Sequence, residues 1–134
     1  MTKNSVELGK ITEYQFAADA LSNNLVIFWP AAQNLPYDFI VTSGVGTPIK
    51  IQVKRAGYQR GTQYKAQTCQ GSKVKTPYPK GTFDFYAIHC DGAWYLIPQD
   101  LIPHTTWTVS EKTIGKWGHY LENWKLLHEA SLGN

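Results

Sequence analysis

Polar and apolar residues alternate most clearly in the first half of the chain. Three β-branched residues take turns with three polar residues between positions 49 and 54, namely Ile49, Ile51 and Val53 against Lys50, Gln52 and Lys54. This period of two predicts a strand with one apolar face and one polar face. A second apolar run starts at Phe39, and Gly44 and Gly46 lie between the runs, where they favour a turn. Residues 36–54 therefore predict two strands joined by a glycine-containing turn.

Helical periodicity marks the start of the chain. Residues 5–22 carry an apolar stripe at helical spacing, formed by Leu8, Ile11, Tyr14, Ala18 and Leu21. Asn4 and Glu7 have the spacing of a capping box, which favours the start of a helix. The continuous apolar run 25–29 predicts a buried strand that ends at Pro30.

The second half of the chain predicts another hairpin and a second helix. Two apolar runs, 83–90 and 93–97, flank the turn sequence Asp91-Gly92. Residues 98–103 predict a turn or one turn of helix, residues 106–109 a short strand, and residues 116–130 a terminal helix. The terminal helix carries an aromatic stripe of Trp117, Tyr120, Leu121, Trp124, Leu127 and His128. We expect this stripe to dock onto the sheet or onto a second subunit.

The order of predicted elements favours a small mixed β-sheet flanked by helices, in the α/β (α+β) class. A chain of 134 residues has the size of one domain, so we expect a single domain over residues 1–134. The sequence lacks the apolar run of a membrane-spanning helix and the apolar core of a signal peptide. Cys69 and Cys90 lack metal-ligand spacing. These features predict a cytoplasmic protein with reduced thiols and no membrane partner.

The net charge is only +3, but the charges are segregated along the sequence. Residues 39–83 contain no Asp or Glu and hold eight of the thirteen basic residues. Within this window, residues 57–82 are punctuated by glycine and proline, and they predict an irregular excursion with a short hairpin. Lysine and arginine interleaved with tyrosine suit contacts to a phosphate backbone and to bases. The alternative is a solvated basic loop.

The candidate DNA-contacting residues share this acid-free window: Arg55, Tyr58, Arg60, Lys65, Lys73, Lys75 and Lys80. A group of candidate catalytic residues lies just before the acid-free window and within it. Gln52 and Lys54 project from one side of a strand, and Asp38 starts the neighbouring strand beside them. Glu13 lies at the edge of the helical stripe, with Glu7 as its substitute. Oxygen ligands suit Mg²⁺, and such a group could hold the metal with an activated water.

Several short motifs, in order, resemble the PD-(D/E)xK nuclease superfamily: Glu13 on a helix, Tyr37-Asp38, Ile51-Gln52-Val53-Lys54 and Tyr95-Leu96-Ile97-Pro98. The Gln variant is similar to the small group I intron homing endonucleases of cyanobacterial type. The resemblance covers about residues 5–128. The sequence departs from the usual motif at Gln52, where an acid is common, and at Tyr37, so that no literal Pro-Asp pair is present.

The resemblance implies a restriction-endonuclease-like core and a Mg²⁺-dependent DNA endonuclease in which Mn²⁺ substitutes. It implies that Asp38 is the main metal ligand, joined by the amide oxygen of Gln52 and the carbonyl of Val53. Glu13 would complete the site, and Lys54 would be the catalytic lysine. Because Gln52 is neutral, we expect a lower metal affinity than in the common version.

The resulting hypothesis is an endonuclease of the homing or mobile-element type that acts on duplex DNA as a homo-oligomer, a dimer or a tetramer, because a double-strand break needs two active sites. A Holliday-junction resolvase is the alternative within the superfamily. A non-catalytic DNA-binding module with a nuclease fold is the alternative of another class, and the neutral Gln52 is the feature that favours it.

Overall fold

The computed structural model describes residues 4–71 and 74–133. The helices are α1 (Ser5–Ser22), α2 (Ile114–Trp117) and α3 (Lys125–Ser131), with 3₁₀ turns at Gln99–Leu101 and Gly118–Tyr120. The strands are β1 (Val26–Phe28), β2 (Phe39–Thr42), β3 (Ile49–Arg55), β4 (Gly57–Tyr58), β5 (Tyr64–Gln67), β6 (Cys69–Gln70), β7 (Thr76–Pro77), β8 (Phe85–Cys90), β9 (Ala93–Pro98) and β10 (Thr106–Val109). Among these helices, none is long and apolar enough to cross a membrane.

Five strands form the central sheet in the order β1-β2-β3-β8-β9. All neighbouring pairs are antiparallel except β3 and β8, which run parallel. The sheet is therefore mixed, and β8 is an interior strand, as its apolar faces predict. The predicted α+β class, a central mixed sheet with flanking helices, is confirmed.

Each face of the central sheet buries its own apolar cluster. On one face, Phe16 of α1 and Leu127 of α3 pack against apolar residues of β2, β3 and β8. On the other face, β8 and β9 pack against Ala66 of β5 and Trp107 of β10. Because side chains alternate along a strand, β3 contributes Ile51 to the helical side and turns Gln52 toward the other side.

The turn between β2 and β3 packs against the end of α3. Gly44 has φ +108°, which only glycine adopts readily. Gly46 is required for another reason, since a Cβ there would collide with the Ser131 backbone carbonyl. The Ser131 hydroxyl also donates to the Thr47 carbonyl at 2.9 Å, so the predicted turn is held against the end of α3.

The helix α1 begins as predicted but presents a different face to the core. Its Asn4 cap accepts the Glu7 N–H at 2.9 Å. The predicted stripe is wrong, because Tyr14 and Leu21 are 63% and 58% exposed. The buried positions are Thr12, Phe16, Ala17 and Ala20. Phe16 fills the space between Phe39, Trp94 and Trp124, with ring centroids 5.4, 5.4 and 5.8 Å away, and the small alanines let the helix approach the sheet.

The strand predicted over residues 25–29 exists only in part and is not buried. β1 covers Val26–Phe28 at the edge of the sheet, where it has β2 as its neighbour. Val26 and Phe28 are exposed. A continuous apolar run is thus ambiguous, because it suits an edge strand covered on one face as well as an interior strand.

The acid-free excursion contains more regular structure than the sequence predicts. β4, β5 and β10 form a three-stranded antiparallel sheet, and β6 pairs with β7 in a two-residue ladder. The predicted strand at 106–109 supplies the third strand of this sheet and pairs with β5. Because β10 lies outside the excursion, the pattern of residues 57–82 alone did not reveal its pairing with β5.

The predicted helix over residues 116–130 is interrupted. The chain is helical in α2, extended at Leu121, which bridges to Tyr95, and helical again in α3. The reason lies at the open edge of β9, where the Glu122 N–H donates to the Trp94 carbonyl at 2.7 Å and the Glu122 carboxylate accepts the Trp94 N–H at 2.6 Å. This segment satisfies the edge of the sheet instead of continuing a helix.

The aromatic stripe of the C-terminal segment docks onto its own domain. Trp117, Trp124 and Leu127 are buried in the two clusters. Docking onto the sheet is therefore confirmed for these residues. Docking onto a second subunit stays a prediction, and Ile114, Leu121 and Leu132 of the same segment remain 51%, 37% and 53% exposed.

Candidate active site

The pairing of the central strands β2 and β3 ends at Phe39 and Ile51, and the candidate residues Asp38, Gln52 and Lys54 lie next to this end. The strand pairing runs from Val41 opposite Ile49 to Phe39 opposite Ile51. The Asp38 N–H still donates to the Ile51 carbonyl at 2.8 Å. Beyond it, the N–H of Val53 is met by the Asp38 carboxylate at 2.7 Å instead of by a strand. Asp38 thus replaces the missing strand neighbour, which fixes its carboxylate beside β3.

Gln52 and Lys54 project from the same side of β3, as the alternation predicts. Gln52 is only 8% exposed, and its side-chain amide carries an oxygen of the kind that coordinates Mg²⁺. The Lys54 amine donates to the Tyr78 hydroxyl at 2.9 Å. Asp38 also feels the positive charge of Lys54, which favours its ionised form.

Glu13, on α1, lines a cleft together with Asp38. Glu13, Lys10 and Asp38 line one part of a cleft of about 390 Å³, and Trp29 with the connector 30–37 lines the rest. The Lys10 amine lies 3.7 Å from the Glu13 carboxylate. Glu7, the substitute for Glu13, is exposed at the helix start. The geometry therefore favours Glu13.

Burial sets the electrostatics of the two carboxylates. Desolvation raises the pKa of Asp38, although the Val53 N–H bond and the charges of Lys54 and Lys10 oppose the rise. Desolvation also raises the pKa of Glu13, the negative charge of Asp38 raises it further, and Lys10 opposes both effects. Two carboxylates that resist ionisation in one cleft form a site that a cation would stabilise.

The donor set fits a hard divalent cation such as Mg²⁺. Asp38 and Glu13 offer carboxylate oxygens, Gln52 an amide oxygen, and Val53 its carbonyl. Within the described ranges, no group of three or more His, Cys, Asp or Glu residues forms a metal site. The candidate site contains two carboxylates, because an amide stands where a third acid is common.

The predicted DNA-contacting residues are mostly exposed, and they fall beside different clefts. Arg55 and Tyr58 line a cleft of about 390 Å³ against α1 and His89. Lys80 lines another, next to Tyr78. Arg60, Lys65 and Lys75 are exposed on the excursion, and Lys73 lies outside the described residues.

Two residues of the site are not on the sequence-derived list. Lys10 stands one helical turn before Glu13, a spacing visible in the sequence. Tyr78 lies far from Lys54 in the sequence, and only the fold of the excursion brings them together. The position of Tyr78 between Pro77 and Pro79 predicts a rigid segment, but it does not predict that Tyr78 contacts Lys54.

A mixed sheet flanked by helices, with an acid, an amide and an amine at the gap between two interior strands, defines the restriction-endonuclease-like class. Comparison with known sequences identifies the family within this class. The profile of the PD-(D/E)XK endonuclease family matches residues 3–127, and the chain belongs to that family. Family membership makes it a hydrolase of phosphodiester bonds. No curated protein matches the sequence.

Two solved structures share the fold. The bacterial homing endonuclease I-Ssp6803I is 22% identical, with 95% of each chain covered and a TM-score of 0.78. The Holliday junction resolvase Hjc from the archaeal hyperthermophile Archaeoglobus fulgidus is 12% identical, with 89% of this chain and 94% of that chain covered and a TM-score of 0.53. At these identities the likeness shows the fold alone.

Proposed function

We propose that this endonuclease cuts duplex DNA with a divalent metal, Mg²⁺ or in its place Mn²⁺, and that it is of the homing or mobile-element type. The observation that supports the proposal is the end of the β2–β3 pairing, where the Asp38 carboxylate accepts the Val53 N–H between Gln52 and Lys54 and shares a cleft with Glu13. The exposed basic residues of the acid-free sequence window 39–83 suit a polyanionic substrate.

The residues have distinct roles in this proposal. Asp38, Glu13, the Gln52 amide and the Val53 carbonyl hold the metal. When bound, Mg²⁺ supplies Lewis-acid stabilisation of the charge that builds on the phosphate. Lys54 orients the attacking water, helps to deprotonate it, or neutralises charge on the phosphoryl oxygens.

The choice of the homing type is supported by the near full-length likeness in shape to I-Ssp6803I. The likeness to Hjc keeps the resolvase as a competing readout. Resolvases recognise branched shape, whereas homing enzymes read a long duplex sequence. We also propose a homo-oligomer, a dimer or a tetramer, because each chain contributes one candidate site and a double-strand break needs two. Sedimentation of the free protein and of its DNA complex measures this number.

The experiment is a plasmid-nicking assay with and without Mg²⁺ on the wild type, Lys54→Ala and Asp38→Asn. Asn keeps an oxygen that can accept the Val53 N–H, so the variant removes charge with little change in shape. We expect each substitution to lower the nicking rate by roughly a hundredfold or more while DNA affinity stays largely intact. The matched control is Lys50→Ala, on the same face of β3 in its paired half, which should nick normally.

The same assay separates the competing functions. A wild type that binds DNA but nicks no substrate with any divalent metal is a binding module. Preferential cleavage of a four-way junction over linear duplex identifies a resolvase. Loss of cleavage in Lys50→Ala equal to that in Lys54→Ala would remove the case for the open half of β3.

A further inference from the structure

One side chain of the excursion reaches the candidate active site directly. The Lys54 amine donates to the Tyr78 hydroxyl at 2.9 Å, and the same nitrogen lies 5.1 Å from the centroid of the Tyr78 ring. A hydrogen bond from an ammonium group is stronger than a neutral one, and a nearby ring face adds a cation–π attraction. Tyr78 therefore contacts Lys54 in two ways at once.

Tyr78 is itself held firmly. Its ring packs edge-on against Phe83 and Tyr86, with centroids 5.3 and 6.3 Å away. Pro77 and Pro79 flank it, and a residue followed by proline is restricted to extended backbone conformations. The side chain that meets Lys54 thus starts from a fixed backbone and a packed ring.

A buried amide ties this segment to the central sheet. Gln99, just after β9, donates from Nε2 to the Pro79 carbonyl at 2.9 Å, and its Oε1 accepts the Phe83 N–H at 3.3 Å. Gln99 is buried, so breaking these bonds would leave polar groups unsatisfied. This anchor places Tyr78 reproducibly against β3.

We propose that Tyr78 is the positioning residue for Lys54, holding the lysine amine at the opening beside Asp38. The inference rests on the proposed function, in which Lys54 acts in cleavage. A lysine side chain has four rotatable bonds, and a fixed partner reduces the number of positions that its amine samples. Lys75 and Lys80 flank Tyr78 on the same excursion. DNA bound by these lysines would therefore also have a fixed position relative to Lys54.

The test compares Tyr78→Phe, which keeps the packed ring and loses only the hydroxyl, with the wild type. Tyr64→Phe is the matched control, because it removes a hydroxyl from the same excursion. The first readout is acetylation of the Lys54 amine by acetic anhydride, mapped by mass spectrometry on the free protein. We expect acetylation to be several-fold faster in Tyr78→Phe, while Tyr64→Phe reacts like the wild type, since loss of an ion–dipole hydrogen bond frees the amine.

The second readout is nicking at saturating DNA and Mg²⁺. We expect Tyr78→Phe to lower the maximal rate roughly tenfold or more, with the DNA concentration for half-maximal rate unchanged. A residue that only packs the excursion would leave the maximal rate unaltered in Tyr78→Phe. Nicking by Tyr78→Phe at the wild-type rate therefore overturns the proposal.

The two readouts keep this inference apart from the proposed function. If the wild type nicks no DNA although Lys54 acetylation rises in Tyr78→Phe, the function fails and the contact stands without a role in cleavage. If the wild type nicks DNA and Lys54 acetylation is equal in all three proteins, Tyr78 does not hold the amine and the inference is wrong. Faster acetylation together with slower nicking supports it.

Discussion

The two halves of β3 belong to one strand but have different neighbours. From Ile49 to Ile51 the strand has β2 on one side, and its apolar side chains enter the core. From Gln52 to Arg55 the strand keeps β8 on one side and loses β2 on the other, where the Asp38 carboxylate takes over the Val53 N–H. The first half is built for stability, whereas the second carries Gln52 and Lys54, the polar residues that we propose for the active site.

This difference explains how a small fold can place chemistry near its centre. The backbone N–H and C=O groups of an interior strand normally form hydrogen bonds with both neighbouring strands. Where one neighbour ends, a side chain must satisfy the backbone, and an acid that does so is held beside the strand. Removing a carboxylate here should change activity more than stability, and removing an apolar residue from the paired half should do the reverse.

The largest effect should follow a cavity in the paired half. Ile51→Ala removes a fully buried side chain from an interior strand and should lower the free energy of unfolding by roughly 2–5 kcal/mol. Lys54→Ala, in the open half, should cost less than about 1 kcal/mol although it stops cleavage. Urea unfolding measures both. Equal stability losses would mean that the two halves do not divide the roles in this way.

Restoring the common acid in the open half should strengthen metal binding. Gln52→Glu adds a third carboxylate to the proposed metal site and should lower the Mg²⁺ concentration for a half-maximal thermal shift by roughly tenfold, because ligand charge tunes affinity for hard cations. The free protein should lose stability, since three carboxylates repel one another. Gln63→Glu, on an exposed turn, is the matched control. The same Mg²⁺ dependence in both variants would place Gln52 away from the metal.

The pH dependence of stability should carry the signature of the two raised carboxyl pKa values. The native state holds protons on Asp38 and Glu13 up to a higher pH than the unfolded chain does. Unfolding therefore releases protons in the window between the ordinary and the raised pKa, and stability of the metal-free protein falls as pH rises through that window. Below the ordinary carboxyl pKa the contribution is fully present.

Asp38→Asn tests this account, because it removes one of the two carboxylates. The metal-free variant should be more stable than the wild type at neutral pH, with a shallower fall in stability as pH rises. Added Mg²⁺ should stabilise the wild type at neutral pH and leave the variant nearly unchanged. A variant with Glu129→Gln, on α3, should behave like the wild type. An unchanged pH slope in Asp38→Asn would contradict the burial of its charge.

The smallest expected effect concerns the basic excursion. Lys75→Gln and Lys80→Gln should each flatten the slope of log affinity against log salt concentration by about 0.9 for every lost phosphate contact. Lys125→Gln, in α3, should leave the slope unaltered. DNA titrations at several salt concentrations measure it. A slope that stays the same in both excursion variants would mean that this part of the excursion does not contact DNA.

Alternation along β3 and the order of motifs were enough to predict the strands β2 and β3, the shared side of Gln52 and Lys54, and the place of Asp38 at the start of the neighbouring strand. The face of α1 was not predictable in the same way, because an exposed stripe of Tyr14 and Leu21 has the same helical spacing as a buried one. Only the aromatic partners of Phe16, which come from distant segments, decide which stripe is buried.

The contacts that local patterns could not reveal are those made between distant residues. The break before α3 depends on Glu122 meeting the edge of β9, and the link between Lys54 and Tyr78 depends on the fold of the whole excursion. The residues adjacent in sequence to Glu122 or to Tyr78 do not indicate which distant residue each one contacts. Prediction from sequence was thus reliable where one strand determined the outcome and failed where two remote segments did.

The central claim is that a divalent cation binds at the opening where β2 leaves β3. Iron-mediated affinity cleavage tests it most directly: Fe²⁺ replaces Mg²⁺, ascorbate and peroxide generate radicals at the metal, and mass spectrometry maps the backbone cuts. We expect cuts near Asp38 and around residues 52–54, competed by Mg²⁺ and lost in Asp38→Asn. Cuts concentrated elsewhere in the chain, or cuts at these residues that persist in Asp38→Asn, would contradict the account.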